Sequence, residues 1–524
     1  MRRIAITLLL ALGLTVVPRG AAAQGASNLY LPIDSWASPY VEHLIRSGVL
    51  RGLDPLTRPL RRADVARAVA AADTTTLSAS GRSVLRLLAW ELQERPDTVR
   101  WKVEGFAGAQ GASDASRWTY RPQPEDNRLF WSGGVSASLE FPHVGLVTSP
   151  YFDTRLLHDA QFAGYKQRFI AGDNSEAYAI ASWKYFEAFF GFESRNWGPP
   201  EAPGILLSPS PYPFDQLMIR LGPRRLRLEM IATQLDTLTM QDSSGLTNRY
   251  LSLHRLVVWP SDRLGITLSE GALTANQKGL PALSFQPWYL NPVNLWLLID
   301  ANRYAGPTKD FVAMDASYAV RNDVRVAGQL FFNDFTVDTR SATNPEKPRE
   351  LGYTLSATGP ALDRGATWSI FYTRVDNNVY QTQKGTQFQY SIRGVGIGRD
   401  HIDYDQLTAR VTGLVAPRAL IGGELTYLRQ GEGDFTKPFP PLDSLTSQHY
   451  VDSLAFLTGV VERTVRVAAQ VNWTPRSGIN LSADVGRHFI WNANHVQGAR
   501  GDRWVWRIRA EIRRRWTGGV HLPD

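Results

Sequence analysis

The tightest constraint on this chain is a two-residue period that sets in at Trp101 and is clearest near the C-terminus. There Trp504, Trp506, Ile508, Ala510 and Ile512 interleave with Val505, Arg507, Arg509, Glu511 and Arg513. Successive side chains of a strand point to opposite faces, so one face is wholly apolar and the other charged. Leu407, Ala409 and Val411 oppose Thr408, Arg410 and Thr412 in the same way. Val465, Val467, Ala469, Val471 and Trp473 oppose Arg466, Gln470 and Asn472, and Val324, Val326, Leu330 and Phe332 oppose Arg325, Gln329 and Asn333. Phe186, Ala188, Phe190 and Phe192 stand against Glu187, Glu193 and Arg195. A soluble sheet buries such an apolar face; a membrane barrel turns it out to lipid and keeps the charges within.

Breaker residues decide between the two. Short clusters fall at Pro142-His143, Ser182-Trp183-Lys184, Gly222-Pro223-Arg224 and Pro260-Ser261-Asp262. Four more fall at Arg321-Asn322-Asp323, Gly359 to Arg364, Ala416-Pro417-Arg418 and Pro475-Arg476-Ser477-Gly478. Between them lie longer stretches with irregular middles. Outer-membrane barrels have short periplasmic turns and long outer loops. Eight short turns, joining strand two to three and so on to sixteen and seventeen, predict an all-β fold: a transmembrane antiparallel β-barrel of about 18 strands. A misread turn gives 16. The barrel should span residues 101–517, with a C-terminal tail at 518–524. The tail lacks a terminal aromatic, a role left to Trp516.

The N-terminus reads differently. Arg2 and Arg3, the apolar Ile4 to Val17 and Ala21-Ala22-Ala23 form a secretory signal over 1–23, with Gln24 starting the mature chain. No Cys occurs, which excludes disulfides and thiolate metal sites. No later run of ~18 apolar residues predicts a membrane-crossing helix. A net charge of +8 is no nucleic-acid footprint. An outer-membrane monomer surrounded by lipid is expected.

Residues 24–98 should form a helical periplasmic segment. Trp36, Tyr40, Val41, Leu44, Ile45 and Val49 recur at helical spacing up to Gly48 and Gly52. A second helix opens at Pro59 and runs to about Ala72, and a third covers Ser83 to Glu94. The Asp34-x-Trp36 start, the Gly48…Gly52 turn and Arg61-Arg62-Ala63-Asp64 resemble a single S-layer-homology unit. In that family such units bind cell-wall polymers, which would make peptidoglycan or another wall polymer a partner. The alternative is a small bundle packed on the barrel's periplasmic end.

Every distinctive stretch lies in a predicted outer loop. Glu193 to Pro213, between Lys184 and Gly222, is stiff, with six prolines. Trp288 to Asn294 and Asp300 to Tyr304 share another loop, and Tyr372 to Asn377 shares a third with Gly394 to Asp400. Arg195-Asn196-Trp197-Gly198-Pro199 with Leu206-Leu207-Ser208, Tyr289-Leu290-Asn291-Pro292, Asn333-Asp334-Phe335, Tyr372-Thr373-Arg374-Val375 and Gly396-x-Gly398 together resemble the Wzi capsule-assembly family. The resemblance implies an 18-stranded outer-membrane barrel with periplasmic helices. It also implies a surface lectin that attaches extracellular (capsular) polysaccharide to the cell.

A lectin needs aromatic faces for sugar rings and polar forks for hydroxyls and carboxylates. Arg195, Asn196 and Trp197 offer both, as glycan contacts or as a lumen plug. Trp288, Tyr289 and Trp296 read as a sugar platform or as a membrane-interface girdle. Asn291, Asp300, Asn302 and Arg303 form a loop network or a site; Arg374 and Asp376 complete the candidates. The inward arginines and Glu187, Glu193 and Glu511 read as cross-lumen ion pairs or as a polyanion track. No GxSxG, HExxH or Walker motif occurs, and the nine His show no metal spacing. Glu193 and Asp215 are the one carboxylate pair worth weighing. No enzyme, metal or cofactor is expected. The alternatives to a lectin are a porin and an envelope tether.

Overall fold

A computed structural model describes residues 27–75, 77–92, 99–124, 126–239, 246–275, 287–296, 308–333, 350–361, 365–381, 385–437 and 456–520. The first nine strands of its sheet are β1 (Val99–Ala112), β2 (Arg128–Glu140), β3 (Val144–Asp153), β4 (Gly172–Ser182), β5 (Phe186–Phe192), β6 (Asp215–Leu221), β7 (Leu226–Gln234), β8 (Arg249–Val258) and β9 (Leu264–Ala275). The remaining nine are β10 (Thr308–Ala319), β11 (Arg325–Phe332), β12 (Leu351–Ala361), β13 (Ala366–Val375), β14 (Tyr404–Ala416), β15 (Ala419–Gln430), β16 (Glu462–Arg476), β17 (Ile479–Trp491) and β18 (Arg500–Val520). Each pairs antiparallel with its neighbours in sequence. β18 closes on β1 from Arg507 opposite Ala112 to Val520 opposite Val99, giving a closed barrel of 18 strands.

All eight breaker clusters sit at one end of this barrel, between the strand pairs expected of them. One cluster needs trimming. Gly359, Pro360 and Ala361 pair with Trp368, Thr367 and Ala366 inside the ladder, so they belong to the strands. Both barrel termini lie at this short-turn end, and β18 runs on to Val520, past the expected edge at 517.

The alternation resolves as a barrel requires. Leu268, Met314, Leu355, Ile370, Leu425, Val467, Ile508 and Ile512 are exposed on the outer face. Among the described residues no helix is long and apolar enough to cross a membrane, so the apolar belt belongs to the strands. Ion pairs line the inner face. Glu424 receives Arg410 at 2.7 Å and Arg466, and Glu229 receives Arg255 at 2.6 Å and Arg227. These pairs join nearby strands on one wall. They do not reach across the lumen, because chain fills it. Arg325 reaches Ser317 Oγ at 2.8 Å and, among the described residues, pairs with no carboxylate.

Ahead of the barrel stand α1 (Ser38–Arg46), α2 (Arg62–Ala70) and α3 (Ala79–Glu91). Gly48 and Gly52 follow α1 at φ +72° and +77°, a left-handed region that glycine enters without strain. α3 starts four residues earlier than periodicity suggests, because Ser78 caps it by accepting from Gly81 N at 3.1 Å. Tyr40, Val41, Leu44, Val65, Val84 and Leu88 form the core of this unit, which also takes in Leu420 from β15. The unit is seated in the short-turn mouth. Tyr40 Oη donates to Arg418 O at 2.7 Å, Asp54 accepts from Arg227 at 2.9 Å, and Arg61 and Glu91 pair with Glu187 and Arg515 on the wall.

Candidate functional site

The stiff loop after β5 turns inward. Asn196–Trp197 forms a short antiparallel ladder with Thr57–Arg58 of the N-terminal unit, deep in the lumen. Trp197 N donates to Leu207 O at 2.9 Å, and Gly198 N donates to Leu56 O at 3.0 Å. The indole is 1% exposed and lies 3.9 Å beneath the Arg255 guanidinium, a cation–π contact in a dry setting. Gln329 Nε2 donates to Trp197 O at 2.8 Å. Arg195 rests 4.5 Å over Phe189 and donates to Gln216 Oε1 at 2.8 Å. Asn196 Oδ1 accepts from Gly204 N at 2.6 Å. These three residues are buried in the plug, with no face left for a sugar.

Of the other segments that carry the resemblance, Leu206 to Ser208 and Gly396 to Gly398 meet in the same core. Tyr380 and Tyr390 donate to Ile205 O and Leu206 O at 2.6 and 2.7 Å. Ser208 N donates to Ile397 O at 3.0 Å. A Cβ on Gly398 would stand 1.7 Å from Ile205 O, so the backbones meet only because that residue is glycine. Asn333 reaches Gln381 O at 3.1 Å. Leu206 to Ser208 and Gly396 to Gly398 are thus packing segments of the plug.

The aromatic loop after β9 takes an unexpected course. Tyr289 and Trp296 are buried on the outside of the barrel, against Ala272. Trp296 stacks on His254 with ring centroids 4.0 Å apart, and its backbone N donates to Glu270 Oε2 at 3.0 Å. His254 and Glu270 share the outward parity of Leu256 and Leu268, and pair at 2.7 Å. An uncovered polar pair on a lipid face is costly, and the loop covers it. Tyr289 and Trp296 are therefore neither girdle nor platform; Trp288 beside them is 39% exposed. Asn291 Oδ1 accepts from Val293 N at 3.2 Å, a local turn. Arg303 lies outside the described residues, as do Asp300 and Asn302. Arg374 faces outward at the rim, donating to Asp376 at 2.6 Å. Glu193 and Asp215 cannot act together: Asp215 pairs with Phe192 and faces out, whereas Glu193 is one residue on and buried inside.

Above the plug, at the long-loop end, a cavity of about 670 Å³ opens. Its wall brings together the cations Arg121, Arg393 and Lys437, the carboxylates Asp400, Glu432 and Asp434, and the rings of Trp118, His401 and His495. The buried Asp403 clamps two loops beneath it. It accepts from Gly433 N at 3.1 Å, Leu457 N at 2.9 Å, Thr458 N at 3.0 Å and Thr458 Oγ1 at 2.6 Å. A Cβ on Gly431 or Gly433 would fall 2.0 or 2.5 Å from the Asp403 side chain. Arg121 Nε donates to Gln430 Oε1 at 3.0 Å. His401 contacts Asp400 at 2.6 Å, and its Nε2 has no protein partner among the described residues. Burial, opposed by Asp400, pushes the His401 pKa below its ordinary value, so the ring is neutral at pH 7.

The wall can present forked donors, acceptors and rings to one polar ligand. Among the described residues no three His, Asp or Glu are placed to hold a metal ion. Of this wall, only Gly394 to Asp400 stands out in the sequence. Trp118, Arg121, Glu432, Asp434, Lys437 and His495 carry no periodicity. The signal on offer was Gly431-Glu432-Gly433-Asp434, glycines alternating with acids as a tightly folded loop does.

No protein-family model matches the sequence, and no curated protein matches it. Among solved structures the chain is similar to Wzi of Escherichia coli, an outer-membrane protein involved in group 1 capsule assembly and a carbohydrate-binding β-barrel. The identity is 13% over 95% of this chain and 100% of that one, with a TM-score of 0.58. Pseudomonas aeruginosa OprD (12% identity, 80% and 96% covered, TM-score 0.43) and Acinetobacter baumannii OccAB2 (9%, 80% and 98%, 0.44) are too distant to weigh. The fold is that of an outer-membrane β-barrel, built as Wzi is.

Proposed function

We propose that this protein is a lectin-like barrel of the outer membrane that holds an extracellular polysaccharide, capsular in kind, at its long-loop mouth. The long loops then face outward and the helical unit lies on the periplasmic side. The reading needs no catalysis and no cofactor. One observation carries it: a charged, ring-lined cavity stands over a lumen stuffed with chain from both ends. A channel needs a water path through the barrel, whereas a holder needs only a rigid floor. The carbohydrate-binding character of the E. coli barrel supports the same reading. Docking of Arg61 and Glu91 on the barrel wall favours a mouth seal over a wall tether for the N-terminal unit.

Calorimetric titration of the purified full-length protein with the polysaccharide of its own cell surface tests this. Arg121→Ala combined with Lys437→Ala should weaken binding at least about tenfold, since charge-assisted hydrogen bonds contribute roughly 1.5–3 kcal/mol each. Steady porin-like conductance in planar bilayers, or no binding by the intact protein, would sink the reading.

A further inference from the structure

On the outer face of the barrel one row of side chains runs across six strands at the long-loop end. In register it is Arg374, Asp405, Arg429, Arg463, Trp491 and Arg500. Arg374, Asp405, Arg429, Arg463 and Arg500 share strand parity with the exposed Ile370, Leu407, Leu425, Val467 and Trp504, so the row faces away from the lumen. Two residues nearer mid-strand on the same face come Tyr372, Leu407, Tyr427, Val465 and Phe489, and then Asp502, which Arg487 grips at 2.6 Å. The row thus marks the upper edge of the apolar belt, the level of lipid headgroups.

Its charges do not balance. Arg429 forks onto Asp405, and Arg374 holds Asp376 while lying 3.6 Å over the Phe456 ring. Glu462 is used to cap Asn494 N at 2.7 Å. Arg463 and Arg500 are exposed and have no ion-pair partner among the described residues. Arg463 also stands directly opposite Arg429. Like charges at that spacing repel, and an anion between them relieves the repulsion. On other strands the outward rim residues at this end include Leu129, Trp131, Phe152, Phe190, Phe332 and the anionic Asp215, none of them a cation.

We infer that this sector of β13 to β18 docks a bisphosphorylated glycolipid of the surrounding leaflet. Guanidinium forks match phosphate oxygens in pairs. With strands ~4.8 Å apart, Arg429 to Arg500 spans roughly 14 Å, room for two phosphates on one headgroup. The acyl chains lie along Leu425, Val467 and Ile508 below. The site is separate from the mouth cavity and stands whether or not that cavity holds a polysaccharide.

Native mass spectrometry of the full-length protein, released from micelles doped with diphosphoryl lipid A, monophosphoryl lipid A or phosphatidylglycerol, reads the outcome. Diphosphoryl lipid A should bind about tenfold more tightly than phosphatidylglycerol, with the monophosphoryl form between them. Arg463→Ala with Arg500→Ala should lower diphosphoryl binding about tenfold, while Arg514→Ala, an exposed arginine near the other end of β18, should not. Inorganic pyrophosphate should fail to displace the lipid. Thermal melting checks that the variants remain folded. Equal lipid binding by the double variant, or equal binding of phosphatidylglycerol, overturns the proposal. So does a double variant that keeps the lipid and loses a soluble acidic polysaccharide.

Discussion

At the scale of single residues, Trp197 shows how a side chain's surroundings settle its role. Its indole is held between the Arg255 guanidinium and a backbone ladder, far from any solvent-facing surface. Trp197→Ala would leave a large void under Arg255 and should cost about 3–5 kcal/mol. A lowered melting transition by tryptophan fluorescence checks this, with polysaccharide affinity at the mouth unchanged at temperatures where the variant is folded. The sequence marks Trp197 as special by its company, Arg195, Asn196, Gly198 and Pro199. It cannot say which way the ring faces, because the partners that fix it, Thr57 and Arg255, are far away in the chain. A charged or amide side chain on the inner face reads identically whether water or packed chain lies beyond it. The same blindness applies to His254 and Glu270. Their parity points them at lipid, and only the covering Trp296 makes that tolerable.

At the scale of elements, the strands were legible and the filling was not. Turns are local events: Pro, Gly and Asp at Pro260-Ser261-Asp262 or Pro475 to Gly478 break a ladder wherever they stand, so counting them counted strands. The helices were legible by the same local logic, though α3 starts early where a cap outweighs periodicity, and α2 starts at Arg62 instead of Pro59 because Leu60–Arg61 pairs as a strand with Tyr30–Leu31. How α1 sits in the barrel is a tertiary fact, and it carries a pH dependence. His43 is 1% exposed, near Thr412 Oγ1 at 3.2 Å on the wall. Burial first, and then Arg46, lowers its pKa from 6.5 to about 4. The undocked segment therefore binds more protons between those values, so docking is fully stable above about pH 6.5 and weakens as pH falls toward 4, by up to about 3 kcal/mol. Protease cleavage within residues 27–92 should rise from pH 7 to pH 4.5, and His43→Gln should flatten that rise.

At the scale of the whole molecule, two plugs enter from opposite ends and meet. The N-terminal unit closes the short-turn mouth, and the loop after β5 descends from the other side to pair with it. Deleting residues 27–92 removes Thr57–Arg58 and uncovers the short-turn half while leaving the long-loop plug tied to Tyr380 and Tyr390. Planar-bilayer recordings should then show irregular, partial openings where the intact protein is closed. Large steady pores in the deletion variant would mean that the loop plug depends wholly on the N-terminal unit.

The ladder between Thr57–Arg58 and Asn196–Trp197 also bears on the order of assembly. The seam that seals the cylinder joins β1 to β18, the strand furthest along the chain in the ring. Everything stuffed inside from residues 27–92 and 193–214 comes earlier in the chain. A cylinder welded shut first would have to admit a three-helix unit at one opening and a proline-stiffened loop at the other, and then find a two-residue match in its interior. Contacts so far apart in sequence form slowly. The simpler route is a curved, open sheet that wraps around contents already in place, with β18 as the final stave. On that route the plug is the mandrel on which the barrel is bent.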